Sequence, residues 1–396
     1  MSTLVYARGV VDGTGTGFRP KVALLVEGNR IAAVGPTEQL RQRADELLDL
    51  GDTVLLPGFI DAHTHITVRP GEGDQHAQLA RPLVWQALRG VENVAGMLRS
   101  GVTTARIMGE RGGLDFEFKR AIAAGEVLGP RLLVSGQALS ASHGHGAALG
   151  VADGVEEVRK VVRANIRSGA DHIKIFATGG VSSRGSDIYA YHYSREEIRA
   201  AVAEAHRAGL PVAAHAHGGE GVDLCIEEGV DSIEHGGLLT EENIDRAVAA
   251  GTWLVLTNTI AFHPTGIEKG DAGNPDIIAK MKRVRETITK TFERIRTSGL
   301  RFALGTDSMH GLFAHEIEWL LERGVPAEQA ILAATRHGAE VLGLSAEVGT
   351  LEPGKLADVV ALAGNPLEEL ESLYRVVAVV KEGRLVVGNG GGDESD

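Results

Sequence analysis

The chain has 396 residues, 43% of them hydrophobic, so it can bury a large core and form more than one domain. The formal net charge is -13 and the acidic residues are scattered, which excludes the basic surface of a nucleic-acid-binding protein. A single cysteine excludes an internal disulfide, and no apolar run reaches the length of about 18 residues that predicts a membrane span. The first residues lack a secretory signal pattern, so we expect a cytoplasmic protein without nucleic-acid or membrane partners.

The two ends of the chain have β-rich patterns. Residues 1–56 contain LVYARGVVDG, KVALLVEGNRIAAVG and DTVLLPG, and a similar pattern returns in KLADVVALAG and VVAVVKEGRLVV. We therefore expect residues 1–56 and 346–388 to form one small β-sandwich domain. The glycine-rich, acidic residues 389–396 are predicted to be a disordered tail.

Between these ends, residues 57–345 alternate apolar strand-like runs with amphipathic helical stretches, which is typical of parallel βα units. The eight predicted strands lie in LPGFIDAHTHI, VTTARIMG, RLLVSGQAL, HIKIFATGG, PVAAHAHG, DSIEHGG, WLVLTNT and FALGTDSM. Eight successive units predict an α/β fold of the (β/α)8 TIM-barrel type. The polar, glycine-rich residues 263–274 after the seventh strand are a candidate lid.

Histidines and charged residues end several of these strands. His63 and His65 are two positions apart, so their side chains leave the first strand on one face, although such a pair alone is as often a packing feature. Lys174 lies in an apolar run, where an unpaired ammonium would be costly to bury. His215 and His217 end the fifth strand, His235 ends the sixth and Asp307 ends the eighth. Catalytic residues of such barrels gather at the carboxyl ends of strands, so we expect these side chains to meet.

Imidazole and carboxylate groups bind divalent metal ions, and zinc is the metal we expect first. Two ions with a bridging hydroxide would provide a nucleophile at neutral pH, and Asp307 would act as general acid and base by moving a proton to the leaving nitrogen. Asp307 alone could equally be a capping carboxylate. His217 could be a metal ligand, or it could donate or accept a hydrogen bond that orients a neighbouring metal ligand.

Six motifs, spread over nearly the whole chain, resemble those of the amidohydrolase superfamily. They are Pro57-Gly58-Phe59-Ile60-Asp61-Ala62-His63-Thr64-His65, Ile173-Lys174, Val212-Ala213-Ala214-His215, Ile233-Glu234-His235-Gly236, Gly305-Thr306-Asp307 and 349–358. The resemblance implies two divalent metal ions bridged by a carboxylated Lys174. It implies His63, His65 and Asp307 as ligands of one ion, and His215 and His235 as ligands of the other.

The segments 101–106, 144–146 and 177–181 resemble the prolidase-like carboxypeptidases of that superfamily. This resemblance implies hydrolysis of an amide C–N bond in a dipeptide or an N-acyl amino acid. It implies that His145 and a loop tyrosine, Tyr189 or Tyr191, contact the substrate carbonyl, although such a tyrosine is more often a packing residue. Arg106 is expected to bind a substrate carboxylate or to anchor a loop carboxylate. His143 departs from the usual pattern of the branch and is a further candidate substrate contact.

Other functions are also compatible with these residues. The hydrolase could act on a carbamate, urea, lactam, lactone or amide xenobiotic, because barrel loops set the specificity. Imidazolonepropionases are relatives with one metal and no bridging lysine, so Lys174 argues against that assignment. A mononuclear deaminase on the same barrel, with Lys174 unmodified, is a further possibility. The alternative from another functional class is a binding or scaffold protein that keeps the barrel fold without catalysis. The partners we expect are a small-molecule substrate and further copies of the chain in a homo-oligomer.

Overall fold

The computed structural model describes residues 1–388, so the predicted disordered tail lies outside the described residues. Short strands with largely buried apolar residues dominate the first part of the chain. They are β1 (Ser2–Tyr6), β2 (Gly9–Val11), β3 (Phe18–Pro20), β4 (Val22–Glu27), β5 (Arg30–Pro36), β6 (Glu46–Asp49) and β7 (Val54–Pro57). One helix, α1 (Thr37–Arg41), interrupts them.

The middle of the chain contains all eight predicted strands. They are β8 (Phe59–Thr64), β9 (Val102–Ile107), β10 (Arg131–Val134), β11 (Ile173–Phe176), β12 (Val212–Ala216), β13 (Ser232–His235), β14 (Trp253–Leu256) and β15 (Phe302–Leu304). Nearly every residue of these strands is buried, as expected for parallel strands covered on both faces.

Helices follow most of these strands. They are α2 (Gln75–Leu79), α3 (Leu83–Arg99), α4 (Leu114–Ala123), α5 (Val155–Ser168), α6 (Arg195–Arg207), α7 (Glu220–Glu227), α8 (Glu241–Ala250), α9 (Thr259–Phe262), α10 (Ile267–Gly270), α11 (Pro275–Thr297), α12 (Phe313–Glu322), α13 (Ala327–Ala334) and α14 (Arg336–Val341). Capping boxes start α6, at Ser194 and Glu197, and α8, at Thr240 and Asn243. None of the helices within residues 1–388 is long and apolar enough to cross a membrane.

The last described strands are β16 (Val359–Leu362), β17 (Val376–Lys381) and β18 (Arg384–Val387). They join the N-terminal strands in a six-stranded sheet of order β18-β17-β16-β7-β2-β3, in which Val360 pairs with Leu56. A second sheet has the order β5-β4-β1-β6. Strands from both chain ends therefore share one sheet, while the predicted domain boundaries at 56 and 346 stay a prediction.

The eight central strands are parallel and form two sheets, β10-β9-β8 and β11-β12-β13-β14-β15. The sheets contact each other at both sides. Leu139, after β10, pairs with Ile175 of β11, and the backbone N–H of Asp307, after β15, donates to the carbonyl of His63 at 2.9 Å. The chain thus has a mixed α/β fold in which the carboxyl ends of β8, β11, β12, β13 and β15 lie at one edge.

Candidate metal centre and active site

His63, His65 and Asp307 form a compact group of possible metal ligands, in which one ligand atom from each residue lies within 4.8 Å of the others. Nε2 of His63 is 3.6 Å from Oδ1 of Asp307, and Nε2 of His65 is 3.8 Å from the same oxygen. Gly305 permits this approach of β15 to β8, because a Cβ there would lie 2.6 Å from Cβ of His63. Two imidazoles and a carboxylate suit a borderline divalent cation such as zinc.

Hydrogen bonds on the far side fix both imidazole rings. Nδ1–H of His63 donates to Oε2 of Glu234 at 2.7 Å, and Nδ1–H of His65 donates to the carbonyl of Gly109 at 3.0 Å. Each ring therefore presents an unprotonated Nε2 toward Asp307. Burial opposes ionisation of Asp307, but the surrounding His63, His65 and Lys174 outweigh it and lower the pKa of this carboxyl to about 2. The group combines neutral nitrogen donors with one ionised oxygen donor.

The backbone is strained where the strands end. Asp307 and Ser308 have φ of 47° and 75°, and His235 has φ of 73°, all in the left-handed region that side chains other than glycine rarely adopt. Such conformations cost of order 1–3 kcal/mol each and cluster at functional sites. The fold holds Asp307 and His235 in these positions despite that cost.

His215, His217 and His235 form a second cluster beside the first. The ring of His235 lies 4.6 Å from His63 and 4.5 Å from His215, measured between centroids. His235 shares a 2.7 Å hydrogen bond between Nδ1 and the Thr257 hydroxyl, and Nε2–H of His215 donates to the carbonyl of Gly179 at 3.2 Å. Nδ1 of His217 is buried and has no hydrogen-bond partner within the described chain. His217 is therefore as well placed as His215 to bind a metal ion.

Lys174 is completely buried on β11. Its Nζ has no hydrogen-bond partner in residues 1–388 and lies 4.8 Å from the ring centroid of Phe176. Burial lowers the pKa of this ammonium to about 8. An unpartnered buried lysine beside two histidine clusters fits a residue that is neutral or chemically modified when the site is loaded with metal.

The structure places Arg106 against carboxylate and carbonyl groups of the protein itself. Arg106 is 2% exposed, and its guanidinium donates to Oε1 of Glu234 at 2.8 Å and to the carbonyl of Ala62 at 2.7 Å. It therefore anchors a carboxylate of strand β13, and a role in binding a substrate carboxylate stays a prediction. Sequence reasoning missed the role of Glu234, although an acid within an apolar strand gives the same signal as Lys174.

His145 lines the same cavity as the histidine clusters, and its ring is 4.7 Å from that of His215. The Ser183 hydroxyl lies 2.6 Å from Nδ1 of His145 and 3.1 Å from Nε2 of His76, which also lines the cavity. Ser183 thus connects histidines from two loops. No pattern in the sequence pointed to His76 or Ser183.

The remaining predicted substrate contacts lie outside this cavity. His143 lines an adjoining outer chamber, where its ring is 4.9 Å from that of His192. Tyr189 packs under the guanidinium of Arg283 at 4.6 Å, and Tyr191 is 42% exposed. Neither tyrosine lines the cavity, so the prediction that one contacts the substrate carbonyl is not supported. A packing role explains Tyr189, which lies against a hydrophobic cluster.

The family model for "Amidohydrolase family" matches residues 54–386, which include every residue of the two histidine clusters. The chain belongs to the amidohydrolase family. It is therefore an enzyme, as the family resemblance of its motifs predicted. A shorter match, to the bacterial imidazolonepropionase-like composite domain, covers residues 23–46 of the β-rich N-terminal part.

Similar proteins have several activities. The chain is 32% identical to the ochratoxinase of Aspergillus niger, over 98% of this chain and 87% of that protein. It is 28% identical to the imidazolonepropionase of Paracoccus denitrificans, over 88% of this chain and 89% of that protein. A crystal structure of a Xaa-Pro dipeptidase with bound methionine in its active site matches with a TM-score of 0.87 and 30% identity, over 98% of this chain and all of that one.

Proposed function

We propose that this amidohydrolase is a metal-dependent hydrolase of an amide C–N bond, built on a closed (β/α)8 barrel. The observation that carries the proposal is the His63–His65–Asp307 group beside the buried, unpartnered Nζ of Lys174. The contacts of Leu139 with Ile175 and of Asp307 with His63, at the two seams between the central sheets, support barrel closure. Residues 57–345 would form the barrel domain, with 1–56 and 346–388 forming the small β-sandwich domain.

The residues fit two divalent metal ions, for which zinc is the first candidate. His63, His65 and Asp307 would hold one ion, and His215 and His235 the other, with a carboxylated Lys174 between them. Carboxylation would replace the unpartnered ammonium of Lys174 with an anionic oxygen donor. Ions bound there would lower the pKa of water and polarise the substrate carbonyl.

Side chains of the protein would transfer the proton of the attacking water to the leaving group. Asp307 is ionised at neutral pH because its pKa is lowered to about 2, so it can accept a proton from the attacking water. It would then pass that proton to the leaving nitrogen. His145 would donate a hydrogen bond to the substrate oxygen from the opposite loop, where negative charge develops during attack.

The substrate would be a dipeptide or an N-acyl amino acid, as the Xaa-Pro dipeptidase neighbour suggests, or an amide, carbamate, urea, lactam or lactone of a xenobiotic. A second candidate function is a mononuclear deaminase or imidazolonepropionase-like reaction. One observation favours it, since within residues 1–388 the only compact group of three possible ligands is His63, His65 and Asp307, enough for one ion.

Metal analysis of the purified protein, grown with zinc and bicarbonate, separates these candidates. We expect about two metal ions per chain and hydrolysis of N-acyl amino acids or related amides. Lys174→Ala should lose the second ion and the activity, whereas Asp307→Asn should lose activity through loss of the proton carrier. A stoichiometry near one together with deamination would support the mononuclear reaction, and full activity of Asp307→Asn would exclude its assigned role.

We also infer that the chain forms a homo-oligomer. Val84, Leu88 and Val91 are 73%, 71% and 43% exposed at helical spacing on one face of α3. An exposed apolar stripe of this kind is typical of a surface that another protein covers. Light scattering after size-exclusion chromatography should give a multiple of the chain mass, and Val84→Lys with Leu88→Lys should reduce it.

A further inference from the structure

The cavity at the metal centre has one apolar wall on the side of His145 and His215. Val68, Leu79, Ala148, Leu149 and Phe176 line this first wall and belong to one hydrophobic cluster. They come from the segments that follow β8 and β10 and from the end of β11. Phe176 fixes the position of the wall relative to the chemistry, because its ring lies 5.6 Å from that of His145 and 5.3 Å from that of His215.

A second apolar wall belongs to a different cluster. Val181, Ile260, Ala261, Ile267 and Val284 line it and come mainly from α9, α10 and α11. A Cβ placed on Gly237 would lie 2.7 Å from Val284 and 3.2 Å from Nδ1 of His217, so this wall adjoins the other end of the histidine cluster. The candidate metal ligands thus have an apolar surface on each side.

The polar groups that face the cavity are mostly neutral. Among the described residues that line it there is no lysine or arginine, and Asp307 is the only acid. Nε2 of Gln75 and Nδ2 of Asn258 are buried without a hydrogen-bond partner in residues 1–388, so each can donate to a substrate oxygen. Arg184 lies farther out, in the chamber that His143 also lines.

We propose that the substrate is an amide with apolar substituents on both sides of the scissile C–N bond, an uncharged oxygen acceptor, and no carboxylate beside that bond. This inference rests on the proposed hydrolase function. Among the substrates proposed there, it selects uncharged amides over dipeptides and N-acyl amino acids, which carry a carboxylate beside the scissile bond. Apolar groups gain free energy when they leave water for the two walls. A carboxylate next to the scissile bond would lose its hydration, and no cationic side chain lines the cavity to compensate for that loss. The metal centre would not compensate either, because the carbonyl of the scissile amide would occupy it.

A matched pair of substrates tests the charge requirement. N-benzoyl-2-phenylethylamine and N-benzoyl-L-phenylalanine carry the same apolar groups and differ only in the carboxylate. We expect kcat/KM of the metal-loaded enzyme to be at least about tenfold higher for the uncharged amide. N-acetyl-2-phenylethylamine and N-benzoylmethylamine, each lacking one apolar group, should both be at least about tenfold poorer than the complete amide.

Wall variants test the two surfaces separately. Leu149→Ala, in the first wall, should reduce the advantage of one apolar substituent, and Ile260→Ala, in the second wall, should reduce the advantage of the other. Leu128→Ala, at a residue that is 43% exposed and away from the cavity, is the matched control and should leave both ratios unchanged.

The outcomes distinguish this inference from the proposed function. Hydrolysis with a preference for N-benzoyl-L-phenylalanine would keep the hydrolase and overturn the inference, and loss of that preference in Arg184→Ala would assign the carboxylate to the outer chamber. If no amide is hydrolysed, the proposed function fails, and the same two compounds then serve as ligands in calorimetry. Equal or tighter binding of the carboxylated compound would overturn the inference there too.

Discussion

Nδ1–H of His63 donates a 2.7 Å hydrogen bond to Oε2 of Glu234, a residue 171 positions later in the chain. Oε1 of Glu234 accepts from Arg106 at 2.8 Å and from the Ser232 hydroxyl at 2.6 Å. Burial opposes ionisation of Glu234, but the charge of Arg106 and the hydrogen bond from His63 lower the pKa of this carboxyl to about 2. The ionised Glu234 therefore accepts the Nδ1 proton of His63, a candidate metal ligand, and selects the tautomer in which Nε2 is free to bind a metal ion.

We expect Glu234→Gln to weaken metal binding by about 10–100-fold, the usual effect of removing a carboxylate that orients a ligating histidine. The measurement is zinc affinity by competition with a chelator. Glu227→Gln, at a side chain 40% exposed on α7, is the control and should bind zinc like the wild type. Unchanged zinc affinity in Glu234→Gln would mean that His63 is not a metal ligand or needs no orientation.

Arg106→Ala should destabilise the fold by about 3–5 kcal/mol, because it leaves the carboxylate of Glu234 buried without its cation. The free energy of unfolding in urea measures this loss. Arg120→Ala removes an exposed ion pair with Glu117 and should leave the free energy of unfolding nearly unchanged. A raised KM for carboxylated substrates with unchanged stability would restore Arg106 as a substrate contact.

The strands and the candidate ligands could be predicted because their signals are local. Apolar runs such as Ile173-Lys174-Ile175-Phe176 mark strands buried on both faces, and a histidine or lysine within or after such a run is conspicuous. His63, His65 and Asp307 come together because parallel strands end at one edge. The positions of these residues follow from topology, which the alternation of strands and helices encodes.

The surroundings of the ligands could not be predicted, because they depend on how loops pack. Whether Arg106 faces the cavity or the interior depends on a carboxylate 128 positions away. Tyr189 and Tyr191 belong to a seven-residue segment, 187–193, that contains three tyrosines, and spacing alone cannot decide which of them turns inward. The link between His76 and His145 exists only because two loops meet at Ser183, and no periodicity records that meeting.

Ser183→Ala should lower kcat by about tenfold and leave the fold intact, since it removes the hydrogen bond that fixes the tautomer of His145. One hydroxyl donates a single proton, so in the wild type it can accept from Nε2–H of His76 while it donates to Nδ1 of His145. That arrangement leaves Nε2–H of His145 as a donor for the substrate oxygen.

The nitrogen chemical shifts of the His145 ring provide a readout that a merely structural role would not change. They should report Nε2 protonation in the wild type and a tautomer mixture in Ser183→Ala, whereas Ser183→Thr should restore the shifts and kcat. Ser182→Ala, which alters a neighbour in the same loop, is the control for loop packing. Identical shifts in wild type and Ser183→Ala would remove the positioning role.

Glu316 provides a pH test that is independent of the metal centre. Its carboxyl is buried on α12 and accepts from the backbone N–H groups of Asn258 and Thr259 at 3.0 and 2.6 Å. Burial raises its pKa from 4.5 to about 8. Between these values the folded protein keeps a proton that the unfolded chain has released, so this group makes the free energy of unfolding fall as pH rises from about 5 to 8.

Glu316→Gln keeps an oxygen acceptor for one of the two N–H groups and cannot ionise, so its stability should fall less over that pH range. We expect the unfolding free energy of the variant, relative to that of the wild type, to increase by at least about 1 kcal/mol over that pH range, since one pKa unit corresponds to about 1.4 kcal/mol. Both free energies are measured in urea on metal-free protein. Other buried carboxyls, such as Glu110, titrate in both proteins and cancel in this difference. Glu322→Gln, at an exposed residue of the same helix, should show no such shift, and a pH-independent difference for Glu316→Gln would contradict the raised pKa.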